Sequence, residues 1–195
     1  MKYEKVAQIA KGWSSYIWLA RAPKENKVVL KEVREKSPRK DLAHREGKML
    51  LRANSVGVGP KVVEVNYKKN FVAMEFIEGP KLVDWILGNG CAPGSGPSEH
   101  DLYFFIKALY RQCLALDSLG LSHNQLQVGK NILVRKEKDP RTGREHFFPV
   151  IIDFEKATMK TPETTKNVGQ IFSFLFYNPN GAVAKKVRET LKLDL

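Results

Sequence analysis

The chain has 195 residues, 43% hydrophobic and 28% charged, which suits one compact domain or two small lobes and argues against a disordered or membrane protein. No apolar run approaches the ~20 residues that span a bilayer, and Met1 to Lys11 holds no segment resembling a signal peptide. Two cysteines, Cys91 and Cys113, without metal-like spacing point to a reducing cytoplasm, and four scattered histidines argue against a local zinc site, while 33 basic and 21 acidic side chains leave a net charge of +12.

In chain order, Val6 to Ile9, Tyr16 to Arg21 and Val28 to Val33 read as strands, with turns at Lys11-Gly12 and Pro23-Lys24-Glu25-Asn26. The spacing from Pro38 to Leu51 predicts a helix, broken by Gly57-Val58-Gly59-Pro60. Val62 to Val65 and Phe71 to Phe76 complete a pattern of five strands and one helix. Residues 88 to 98, rich in Gly, Pro and Ser, read as a surface loop. Ser98 is a natural N-cap for a helix to Leu119 that sets Leu102, Phe105, Ile106, Leu109, Cys113 and Leu116 on one face. Ile132 to Arg135 and Phe148 to Phe154 read as strands around the polar hairpin Lys138 to Glu145. A helical region opens at Pro162, and a short basic helix closes the chain.

The basic excess is spread over residues 31 to 48, 135 to 144 and 185 to 192. An acidic partner such as nucleic acid or a ribonucleoprotein is one reading. A solvated surface is the favoured one, since no aromatic interleaving along the sequence marks a stacking platform. Trp13, Trp18 and Trp85 need no role beyond packing.

Four local signals could carry chemistry. Ala10-Lys11-Gly12-Trp13-Ser14-Ser15 joins two strands; Gly12 lets the backbone approach an anion, and Ser14 and Ser15 add hydroxyls, although an ordinary hairpin turn would look the same. Lys31 lies in the apolar strand Val28-Val29-Leu30-Lys31 and must place its ammonium somewhere; Glu46 on the following helix is a candidate partner, against a strand-edge lysine and a solvated glutamate. His123 to Val134 is a loop followed by Asn131 and an apolar strand; Asn131 could present an amide oxygen to a metal, and His123 reads better as a structural residue than as a catalytic one. Asp153 follows Val150-Ile151-Ile152, where a carboxylate at a strand end suits a hard cation. Glu155 could be a second ligand or a surface residue, and the surface reading is favoured.

Together these signals resemble the protein-kinase-like superfamily, closest to small atypical kinases of the RIO and Bud32 type and to predicted archaeal serine/threonine kinases. The resemblance implies an α+β, bilobal fold: a five-stranded antiparallel N-lobe sheet plus helix over residues 1–78, and a reduced, mainly helical C-lobe over 79–195. Gly12, Ser14 and Ser15 match the glycine-rich loop, Lys31 the nucleotide lysine and Glu46 its helix partner. Met74 matches the gatekeeper, and the backbone of Glu75 and Ile77 would face adenine. Asn131 and Asp153 match the magnesium ligands, with Asp153-Phe154-Glu155 replacing Asp-Phe-Gly. The implied activity is a cytoplasmic, ATP- and Mg²⁺-dependent transfer of the γ-phosphoryl to a protein or small-molecule hydroxyl.

Three positions depart from the pattern. Gln125 stands where the catalytic aspartate is expected, and Asn131 follows after six residues rather than five, so that the loop carries an extra residue or Lys130 takes the ligand position. Ala10 replaces the first glycine, and the chain after Asp153 lacks an activation segment and an Ala-Pro-Glu signature. General-base loss costs ~10²–10⁴-fold, but phosphoryl transfer depends mainly on positioning and charge. A slow kinase, with Gln125 orienting the acceptor, therefore stands beside two alternatives: a nucleotide-binding pseudokinase, and a small-molecule or lipopolysaccharide kinase.

Overall fold

The computed structural model describes residues 3–23, 26–38, 40–89 and 96–194. Lys24 and Glu25 of the first hairpin turn, Arg39 near the start of the expected helix, Cys91 and most of the Gly/Pro/Ser-rich loop lie outside these residues. The chain divides into two compact units: residues 1–76 with 153–157, and residues 77–152 with 158–195.

The first unit is built on an antiparallel sheet of β1 (Glu4–Lys11), β2 (Ser15–Arg21), β3 (Lys27–Val33), β4 (Val62–Asn66) and β5 (Phe71–Glu75), in the order β1-β2-β3-β5-β4. Strand periodicity sorts its side chains. Val28 and Leu30 pack with Ala20, Phe71, Ala73 and Tyr3 on one face. Lys31, one residue on, falls on the other. The expected helix is shorter and later at its start than its periodicity suggests: a widened turn, Ala43–Gly47, leads into α1 (Lys48–Asn54). Gly47 explains how that turn reaches the sheet. A Cβ there would lie 2.6 Å from the Val65 side chain, so only glycine permits the approach.

In the second unit, α3 (Glu99–Ser118) buries Leu102, Phe105, Leu109, Cys113 and Leu116. Its first turn is capped as expected, the Asp101 N–H donating to Ser98 Oγ at 3.1 Å. Ile106 does not join the buried face; it is half-buried and lines a groove. The short helix α2 (Leu82–Leu87) was not expected, because six residues are too few to show a helical period. Left-handed Gly88 (φ 70°) ends it. Trp85 of α2 stacks between Phe105 and Phe147, with ring centroids 4.8 and 5.3 Å away. The hairpin strands β7 (Ile132–Lys138) and β8 (Glu145–Ile151) run further into the polar stretch than its composition suggested, and β8 stops short of Asp153. The two-residue strands β6 (Leu121–Ser122) and β9 (Thr158–Met159) pair, and α4 (Asn167–Phe172) and α5 (Ala182–Leu191) follow. No helix of the described residues is long and apolar enough to cross a membrane.

Candidate functional site

Lys31 is 5% exposed, and its ammonium ends a network within the first unit. It lies 2.6 Å from Glu46 Oε2, 2.8 Å from Asp153 Oδ1 and 3.8 Å from Glu155 Oε2. Lys31 and Asp153 thus meet across 122 residues of sequence. Burial alone would lower the lysine's pKa, but Glu46 and Asp153 outweigh it and hold the ammonium above its ordinary value. Burial acts the other way on Glu46. Desolvation, with repulsion from Asp153 and Glu155, outweighs the attraction of Lys31 and pushes its carboxyl up to about 7.

Glu155 is not a surface residue. It is 7% exposed and accepts a hydrogen bond of 2.7 Å from Ser14 Oγ. The short 3₁₀ turn Phe154–Lys156 packs Phe154 fully and carries Glu155 inward with it. Asp153 itself is left-handed (φ 66°), an uncommon state for a residue with a side chain. One feature of the loop between β1 and β2 was not read from the sequence: Arg34 Nη1 donates to the carbonyls of Gly12 (3.0 Å) and Trp13 (3.2 Å). Ser14 and Ser15 are buried there, and Trp13 is 70% exposed. Gly12 is not required by the turn, since a Cβ at that position would meet Ser15 at an ordinary 3.5 Å.

Met74 is buried in β5. The Glu75 N–H donates to Lys61 O at 2.8 Å. Ile77, buried, opens the second unit.

Within the second unit, His123 is fully buried, with Nε2 2.9 Å from Ile152 O, and its N–H donates to Asn167 Oδ1 at 2.8 Å. Asn167 in turn donates to Leu121 O and to Asp117 Oδ1, each at 2.7 Å. His123, Asn167 and Asp117 form a polar frame for the loop; the last two gave no sequence signal. The loop contains a 3₁₀ turn, Leu126–Val128, closed by left-handed Gly129 (φ 61°) against the Phe174 ring. Asn131 is half-buried, its amide donating to Gln125 O at 3.3 Å and its carbonyl accepting from Ile152 N at 2.9 Å; Lys130 is exposed. Gln125 is half-buried.

The ligand oxygens of Glu46, Asp153 and Glu155 lie within 4.8 Å of one another. Three carboxyl groups around one ammonium form an oxygen-rich centre of the kind that suits a hard cation. Asp153 is its open member, with 38% of its side chain exposed against 2% for Glu46 and 9% for Glu155.

No protein-family model matches the chain. Two solved structures share its fold, the Rio2 kinase of Chaetomium thermophilum alone and in an ADP/Mg²⁺-phosphoaspartate complex, with TM-scores of 0.63 and 0.62 and 21% identity in each case. They cover 96% and 98% of this chain, which spans 62% of their length. The fold is therefore protein-kinase-like and of the RIO type. The uncharacterized protein MJ1211 of Methanocaldococcus jannaschii is 30% identical over 122 residues, covering 63% of this chain and 86% of that protein. With that identity over 86% of the relative, the chain belongs to the same family as MJ1211.

Proposed function

We propose that the chain binds ATP with Mg²⁺ and transfers the γ-phosphoryl to a hydroxyl, as an atypical serine/threonine kinase of the cytoplasm. The observation that carries this reading is the buried Lys31 between Glu46 and Asp153. A fully desolvated ammonium among carboxylates contributes little net stability compared with apolar packing, but it is suited to positioning phosphates. Lys31, held by Glu46, would grip the α- and β-phosphates. The backbone of the Gly12–Ser15 loop would face them, the Ser14 hydroxyl being held by Glu155, and the Glu75 carbonyl and Ile77 backbone would meet adenine beside Met74. Asp153 and Asn131 would hold the magnesium; the open carboxylate of Asp153 and the amide oxygen of Asn131, whose NH₂ already donates to Gln125 O, are donors of the right kind. That ion would supply charge neutralisation on the phosphates. Gln125 would orient the acceptor hydroxyl through its amide.

Incubation with γ-labelled ATP and Mg²⁺ tests the proposal against Lys31→Ala and Asp153→Asn. Label carried by the unmodified protein and lost from both variants supports transfer; equal labelling of Asp153→Asn overturns it. Gln125 itself favours a second reading, a nucleotide-binding pseudokinase. That reading expects thermal stabilisation by ATP and Mg²⁺ that needs Lys31 and occurs without turnover. Either a protein or a small molecule, lipopolysaccharide included, could bear the accepting hydroxyl.

A further inference from the structure

The outer face of α3 combines aromatic rings and cations in a way the linear sequence conceals. Tyr103, Phe104 and Tyr110 are 53%, 51% and 38% exposed. Lys107 and Arg111 are exposed on the same face. The intervening residues Phe105 and Leu109 are buried, so the alternation emerges only once the helix is wound. The rings and cations border a groove of about 1100 Å³, floored by Phe172 and Phe176. Across the ridge of Phe104, Lys107 and Arg111, a second hollow of about 420 Å³ continues toward Arg144.

The charge on this surface is mainly positive. Lys107 Nζ sits 6.0 Å from the Tyr103 ring centroid, and Arg144 donates to His100 at 2.9 Å. Lys107, Arg111 and Arg144 form no ion pair among the described residues. Of the two acidic residues at the start of α3, Glu99 is paired with Lys192 at 2.7 Å, while Asp101, which accepts from Ser98 at 2.6 Å, remains a carboxylate at the edge of the second hollow. Three cations thus stand beside three exposed rings on a chain of net charge +12.

We propose that this α3 surface binds single-stranded nucleic acid, the rings stacking on bases and Lys107, Arg111 and Arg144 contacting phosphates. Single strands are held by this combination, a cationic track beside aromatic platforms, with little demand for sequence. Tyr103 and Tyr110 are seven residues apart, about 10 Å along the helix, which is room for more than one stacked base. An acidic protein segment would use the local cations too, but the excess over the whole chain adds attraction chiefly for a long polyanion. The inference does not depend on the kinase reading and needs no nucleotide at the Lys31 site.

The test is fluorescence anisotropy of the full chain with a labelled oligouridylate and a labelled oligothymidylate across a salt series. Binding that weakens with salt is expected. Tyr103→Ala with Phe104→Ala should weaken it about tenfold or more, with the salt slope unchanged. Lys107→Glu with Arg111→Glu should weaken it and lower the slope by at least about 1.4, the share of two phosphate contacts. Lys68→Glu with Lys69→Glu, in the β4–β5 turn, makes the same change in net charge elsewhere and should have a much smaller effect. Thermal melts of each variant identify any that fail to fold, and the two α3 pairs act through different chemistry, so that loss of one to misfolding leaves the other decisive. No binding, or equal weakening by both charge pairs, overturns the proposal. Poly-glutamate bound as tightly, with the same dependence on the α3 residues, would reassign the surface to an acidic protein partner and also overturn it.

Discussion

Ser14 Oγ and Glu155 Oε2 are joined by a buried hydrogen bond of 2.7 Å across 141 residues. The bond ties the loop between β1 and β2 to the segment that carries Asp153, so that loop position and carboxylate position are set together. Ser14→Ala removes the donor and leaves a buried carboxylate with one partner fewer, a loss of about 1–3 kcal/mol. Urea denaturation should show that loss, and isothermal titration should show weaker ATP binding than in the parent chain. A variant with unchanged stability and unchanged affinity would mean that the bond does not order the loop.

Lys31→Met takes the ammonium from the carboxylate cluster. Breaking a buried pair this way costs about 3–5 kcal/mol near neutral pH. The deficit should shrink in acid. Glu46 is already pushed up to about 7, against an ordinary 4.5, by burial and then by its acidic neighbours acting against Lys31. The folded chain therefore binds a proton that the unfolded chain takes up only at lower pH, and stability rises as pH falls from about 7 toward 4.5. Without Lys31 the rise begins at higher pH. Urea midpoints of parent and variant at about pH 8 and about pH 5.5 should converge on acidification; a constant gap would exclude Glu46 as the titrating group.

Gln125→Asp restores a proton acceptor to the loop. If Gln125 faces the acceptor hydroxyl, the change should raise the rate of label transfer by up to the ~10²–10⁴-fold that general bases contribute. ATP affinity should stay the same, because Gln125 has no part in nucleotide binding in this reading. A flat rate with intact nucleotide binding would place the acceptor elsewhere.

Gly79→Ala tests the packing that follows β5. A Cβ at this position would lie 1.9 Å from the Val134 carbonyl oxygen, a backbone atom held in β7. Overpacking of this kind costs about 1–3 kcal/mol, and the rigidity of the strand points to the upper end. A melting temperature within a degree or so of the parent would show that the strand yields.

Much of this was legible in the sequence because the signals are local. A lysine inside Val28-Val29-Leu30-Lys31 and an aspartate after Val150-Ile151-Ile152 each stand out against apolar neighbours. The five strands were visible as alternating runs. Glu155 was misread because its burial comes from a single 3₁₀ turn, which has no hydrophobic period. Asn167 and Asp117 were missed because their partners lie 44 to 50 residues away and neither interrupts a pattern. The α3 surface was hidden in the same way: its rings and cations are adjacent only after the buried residues between them turn inward.

Arg34 has one more consequence. A trans peptide points its C=O and the following N–H in opposite directions. By drawing the carbonyls of Gly12 and Trp13 toward its guanidinium, Arg34 turns the amide hydrogens of Trp13 and Ser14 to the far side of the loop. A fixed cation beneath the turn thereby gives the chain an oriented pair of dipoles in a loop that holds a single glycine.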